Sequence, residues 1–203
     1  MIVQQICGEV EGGLKTYFSL YVLVFVLSFA NILACSPTPE AEQTDDVALS
    51  VALLTPIALL SSHLTFLRFA LPQILVTNLY RRIASRLCEH IFNRQILYRG
   101  RHRLTVAQGT AMCAECDLWV ETCQTALLGL SGRTRVEAPW LRLLEGGRLV
   151  ATDGIVWQKL VDGTFGAIND VEWEALMESA VGICEMGREE VGQVLRTRAD
   201  CGQ

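Results

Sequence analysis

Leu75-Val-Thr-Asn-Leu79-Tyr-Arg-Arg-Ile83-Ala-Ser-Arg-Leu87-Cys-Glu-His-Ile91 decides the fold of this chain. Apolar residues recur at 75, 79, 83, 87 and 91, with arginines between them. That spacing places one stripe on one face of an α-helix. A basic break follows at Arg99-Gly-Arg-His-Arg103. Thr105-Val-Ala-Gln108 then opens a second helix carrying Met112, Cys116, Trp119 and Cys123. Thr105 and Gln108 have the spacing of a capping box, in which each side chain satisfies the other's backbone N–H. Two long amphipathic helices joined by a short loop predict an all-α protein, an antiparallel helical bundle.

Toward the C-terminus the helical pattern continues. The second helix should end near Leu128, before Gly129 and Gly132. Pro139 starts a helix with Trp140, Leu143, Leu144 and Leu149, and Thr152-Asp-Gly154 breaks it. A short helix carries Ile155, Val156, Leu160 and Val161. Asn169 or Asp170 caps the next, with Trp173, Leu176, Met177 and Val181. A last helix runs from about Arg188 to Arg198. No stretch alternates with period two for long enough to be a strand.

Toward the N-terminus, residues 2–18 read as a helix, weakened at Gly12-Gly13 by about 1 kcal/mol per glycine. Ser36 to Asp46 reads as a linker with two prolines and an acidic run. Asp45 or Asp46 caps a helix reaching about Ala70, which Pro56 should kink or divide. Pro72 suits the first turn of the helix that follows. The expected organisation is therefore an upstream helix at 1–18, a hydrophobic insert and Pro/acidic linker at 19–44, and a helical domain at 45–203.

The chain has 203 residues, enough for a real core, and 51% hydrophobic content. The excess is aliphatic, which suits helix-on-helix packing. A net charge of −5 argues against nucleic-acid binding by bulk electrostatics. The charge is uneven. Residues 81–103 hold seven arginines against Glu89 alone, and residues 153–203 hold ten acids against four bases. The arginines surround an apolar stripe that must pack inward, so most form a solvated helix face. The Arg99, Arg101 and Arg103 loop is the exposed contact expected to meet a partner or lipid.

From Thr16 to Pro39 there is no charged residue, and 17–35 is long enough to span a bilayer, which needs roughly 20 apolar residues. It makes a poor signal peptide, because Glu9 and Glu11 precede it and no positive region does. A membrane anchor at 17–35 is one expectation. A hydrophobic insert packed on the domain is the other.

Chemistry-bearing motifs are sparse. Cys113-Ala-Glu-Cys116 is a CxxC with Cys123 seven residues on, but a zinc site needs four ligands and no second pair follows. On a helix these cysteines share a face with Val120 and Leu127, which reads as core thiols rather than a redox or metal site. The eight cysteines in all suit a reducing compartment better than a disulfide framework. Gly8 to Thr16 nearly spells a phosphate-binding loop, yet Leu14 separates Gly13 from Lys15 and two glutamates would repel phosphate. His63 and His90 read as structural or surface residues, and the carboxylates at 172–178 and 185–190 as helix-face charges. No residue is a candidate for catalysis, and neither cofactor nor metal is expected.

From about His63 onward the chain resembles the C-terminal part of the RINT/TIP family of vesicle-tethering subunits. The residues that carry this are Phe66-Leu-Arg68, Leu79-Tyr-Arg-Arg-Ile83, Glu115-Cys-Asp-Leu-Trp119, Pro139-Trp140, Leu143-Leu-Glu-Gly-Gly-Arg148-Leu149 and Arg188 to Arg196. The helix at 1–18 is similar to an upstream helix of that family. The resemblance implies a non-enzymatic subunit at the end of a long helical rod. It implies action on the cytoplasmic face of the endoplasmic reticulum, peripheral to the membrane, in Golgi-to-ER traffic. The implied partners are other tethering subunits and ER SNAREs. Two features depart from the family. The chain is several times shorter, as a C-terminal piece would be, and the apolar stretch at 19–40 interrupts the match.

Overall fold

The computed structural model describes residues 1–33, 39–98, 103–130, 132–182 and 185–201, with the side chains of 20–51 left aside. The protein is all-α. Nine α-helices follow in chain order among the described residues: α1 (Ile2–Leu33), α2 (Pro39–Ala70), α3 (Gln73–Ile91), α4 (Val106–Ala126), α5 (Arg133–Glu137), α6 (Leu141–Ala151), α7 (Gly154–Phe165), α8 (Asp170–Val181) and α9 (Arg188–Leu195). A π-helical turn, Phe92–Leu97, prolongs α3, and a 3₁₀ turn, Ala138–Trp140, leads into α6. Among the described residues there is no strand, and one isolated bridge pairs Leu104 with Arg198.

The chain forms two compact units, Met1–Ile83 with Thr122–Ser131, and Ala84–Glu121 with Gly132–Gln203. The boundary falls inside α3 and α4, so the division differs from the expected 1–18, 19–44 and 45–203. α1 also runs on past residue 18 to Leu33, and α2 begins at Pro39 rather than Asp45. The acidic stretch read as linker therefore lies largely in the opening turns of α2. Pro39 suits such a start, because the first turn has no use for its missing N–H.

In the first unit α1 and α2 form an antiparallel pair. Glu9 Oε2 meets His63 Nε2 at 2.8 Å, and further along α1 Gly13 faces Pro56, which lies earlier in α2. A Cβ at Gly13 would stand 3.3 Å from the Pro56 Cβ, tight packing that the glycine avoids. α2 runs undivided through Pro56. Ile6, Val10, Leu14 and Tyr17 are buried from α1, and Leu53, Leu60, Leu64 and Leu67 from α2. On α3 the buried stripe is Val76, Tyr80, Ile83, Leu87 and Ile91, while Leu75 is exposed and Leu79 half-buried. The stripe thus starts one residue later than the leucines suggest. Tyr80 supplies more apolar surface than Leu79, and burying it outweighs the four-residue leucine repeat.

The second unit is built around α6. Leu143, Leu144, Gly146, Gly147, Leu149 and Val150 are all buried, so most of its circumference is covered. Neighbours come too close for side chains on two sides. A Cβ at Gly146 would meet the Phe92 ring at 2.6 Å, and one at Gly147 the Cys116 sulfur at 3.1 Å. α4 comes closer still at Gly109, where a Cβ would lie 1.9 Å from the Val150 carbonyl oxygen. Trp119 and Trp140 stack fully buried, ring centroids 6.1 Å apart. The helix starts obey local rules. Thr105 N donates to Gln108 Oε1 at 3.1 Å, and Gln108 N donates to Thr105 Oγ1 at 3.3 Å, completing the capping box. Asn169 Oδ1 accepts from Glu172 N at 2.8 Å to cap α8.

Gly109→Ala should cost about 3 kcal/mol, because the added methyl meets backbone that cannot swing aside. Gly8→Ala, on open helix surface, should instead add about 1 kcal/mol. Urea unfolding of the two variants measures both signs.

Candidate functional site

Arginine side chains organise the polar chemistry of the second unit. A helix ends with carbonyls that lack intrahelical partners and carry partial negative charge, so a guanidinium is their natural complement. At the end of α7, Arg188 donates from Nε to Thr164 O at 3.0 Å and from Nη1 to Ile168 O at 2.8 Å. Its Nη2 donates to both Gly163 O and Gly166 O at 2.7 Å. At the end of α8, Arg148 Nη1 donates to Val181 O at 3.2 Å. At the end of α6, Arg198 Nη1 donates to Val150 O at 3.3 Å and also to Thr152 O.

Arg198 is 0% exposed. Its charge is compensated by Asp200, which accepts from Nε at 2.9 Å, and its guanidinium lies 3.7 Å from the centre of the Trp157 ring. Backbone bonds fix the residue from both sides: Leu104 N donates to Thr197 O at 2.8 Å, and Ala199 N to Leu104 O at 2.9 Å. Arg142 pairs with Glu190 and covers the Phe92 ring at 4.7 Å. Glu145 is 1% exposed on α6, and both its oxygens accept from Glu185 N at 3.0 Å. Nothing in the sequence marks these arginines as caps, because a cap from a distant segment leaves no local pattern.

Of the three cysteines read as core thiols, two are so placed. Cys116 and Cys123 are buried, Cys113 is half-buried, and none of the three is in a disulfide. Burial pushes the Cys88 thiol up to about 11 and the Cys116 thiol well above its ordinary value. Cys113 is raised as well, by burial first and then by the carboxylate of Asp117. A low-pKa thiolate is what redox or nucleophilic cysteines need, and these shifts run the other way. Among the described residues no group of three His, Cys, Asp or Glu side chains is arranged to hold a metal.

Of the expected contact loop, Arg99 and Arg101 lie outside the described residues, and Arg103 is exposed. His63 is half-buried against Glu9, a link between two helices. Glu172, Glu174 and Glu178 are exposed on α8, as helix-face charges should be. Of the span expected at 17–35, residues 17–33 belong to α1 and the last two lie outside the described residues. A different helix, Ala52–Ala70, is long and apolar enough to cross a membrane. A groove of about 350 Å³ between α7 and α9 is lined by Thr164, Phe165, Arg188, Glu189, Gly192 and Arg196. Arg188 is already committed to four carbonyls there, and Arg196 covers the Phe165 ring at 4.8 Å. The Thr164 hydroxyl oxygen there accepts from Trp173 Nε1 at 3.2 Å.

No family model, curated protein or solved structure matches this chain.

Arg188→Ala should destabilise the second unit by about 3 kcal/mol, since it strands several carbonyls at once. Arg188→Lys should recover little of that, because an ammonium cannot reproduce the planar fork. Thermal unfolding of wild type and both variants gives the ordering.

Proposed function

We propose that the chain is a non-enzymatic helical subunit of a vesicle-tethering complex in Golgi-to-ER traffic. In this reading it is the end of a tether-type helical rod, peripheral on the cytoplasmic face of the endoplasmic reticulum. Its partners are other tethering subunits and ER SNAREs. The observation that carries the reading is the all-helical architecture in which polar side chains close helix ends instead of converging on a reaction site. Such an architecture presents helix faces, and helix faces recognise amphipathic partner helices through apolar positions at helical spacing. The sequence segments that carry the family resemblance fall mainly in helices, Phe66–Arg68 in α2 and the others chiefly in α3, α4, α6 and α9.

A second reading is a membrane-anchored helical protein held through 17–35. It draws on the continuous α1, which keeps residues 17–33 helical. Alkaline carbonate extraction separates the two: a peripheral tether is released and an anchored chain stays in the pellet.

Affinity purification of the tagged chain from its own cells in mild detergent, followed by mass spectrometry, tests the first reading. Tethering subunits and ER SNAREs should be enriched over a tag-only control. Their absence from a soluble, well-folded preparation would contradict it.

A further inference from the structure

The corner between α2 and α3 exposes more apolar surface than a water-facing turn should. Phe66 is 68% exposed, Phe69 81% and Ile74 76%, and Leu75 is also exposed. Phe66 and Phe69 are three residues apart on α2 and share a face. Phe69 and Ile74 flank the turn at Leu71-Pro72. Exposed Leu128 belongs to the same corner, because the residues around it are tied there. Arg68 Nη1 donates to Ala126 O at 3.5 Å, and Gln73 Nε2 donates to Leu130 O. Of the apolar stretch in Ala52–Ala70, 33% is buried.

The charge next to this cluster is mainly basic, the exception being Glu9, paired with His63 one turn before Phe66. From Val47 to Ile83 there is no Asp or Glu, although the whole chain has a net charge of −5. The same holds from Thr122 to Ser131. Arg68 lies beside Phe69, its guanidinium 5.8 Å from the ring centre. Further along the exposed side of α3, Ile74 is followed by Asn78, Arg81 and Arg82, all exposed. Helical spacing of three and four residues makes this one continuous strip, apolar at the corner and basic above it.

We infer that the α2–α3 corner is a membrane-contact site that inserts into the headgroup region of an anionic bilayer. Phe66, Phe69, Ile74 and Leu128 enter the acyl boundary, and Arg81 and Arg82 meet lipid phosphates. Apolar tips with flanking arginines are the composition of interfacial binding elements. A lipid surface fits better than an acidic peptide helix. A helix-binding groove half-covers the side chains that line it, whereas these stand well clear of the protein. The inference is independent of the tethering proposal, since vesicles alone should suffice for binding.

The test uses the full chain with vesicles of phosphatidylcholine and of phosphatidylcholine with phosphatidylserine. Flotation should favour the anionic vesicles and weaken as salt rises. Arg81→Ala with Arg82→Ala should lower the partition by about 25-fold, at roughly five-fold per arginine. Phe69→Glu with Ile74→Glu should abolish it while leaving the circular dichroism unchanged, because both side chains are exposed. Phe69→Trp provides a direct depth reading, since the four native tryptophans are all buried. Its added fluorescence should be quenched by lipids brominated in the acyl chain. Flotation unaffected by the glutamate pair, as binding through 17–35 alone would give, overturns the inference. So does added fluorescence in the Phe69→Trp variant that brominated lipid leaves untouched, or binding of an acidic peptide without binding of vesicles.

Discussion

The second unit depends on how closely other helices approach α6. On one flank the Phe92 ring takes the space a Gly146 side chain would need, and on another Cys116 does the same at Gly147. On α4, Gly109 lets the backbone of that helix come against the Val150 carbonyl. Close-packed interiors tolerate no extra methyl at such points. With α6 enclosed, its polar groups need partners inside the protein. Glu145 takes the Glu185 amide, and the carbonyls at its C-terminal end take Arg198. The tight helix and the buried charges are thus two sides of one constraint.

The same logic explains why three of the second unit's arginines are committed to helix ends. Short helices have many ends, and each end leaves carbonyls that water or a side chain must satisfy. Arg148, Arg188 and Arg198 serve three of these ends. A guanidinium can meet several carbonyls at once, which a lysine cannot. The first unit follows a different rule. There Arg68 reaches Ala126 O, but Arg81 and Arg82 are exposed along α3 beyond the apolar corner. Arg148, Arg188 and Arg198 close helix ends in one unit, while Arg81 and Arg82 give the other a surface to use.

Local signals carried much of the helix pattern. The Thr105–Gln108 box, the Asn169 cap and the burial of Met112, Cys116, Trp119 and Cys123 follow from short-range spacing. Features set by tertiary contact were less legible. The α3 stripe shifts from Leu75 and Leu79 to Val76 and Tyr80 because packing decides which neighbouring apolar residue goes inside. The acidic 40–46 stretch looks like a linker by composition, yet helix formation there violates no backbone rule once Pro39 is at the start. Gly12-Gly13 weakens a helix locally, but Gly13 also makes room for Pro56 on a helix more than forty residues away. The Arg188 and Arg198 caps join segments far apart in sequence, and no motif marks them. In the candidate contact loop Arg103 is exposed, and at the α2–α3 corner no local motif marks Phe66, Phe69 and Ile74 as outward-facing.

The most direct test of the account is amide hydrogen exchange read by peptide mass spectrometry across residues 84–201. If α6 is the enclosed centre of the second unit, peptides covering 143–150 should be the last to exchange, and should do so only with global opening. Exchange of α6 ahead of α7 and α8 would contradict that centre.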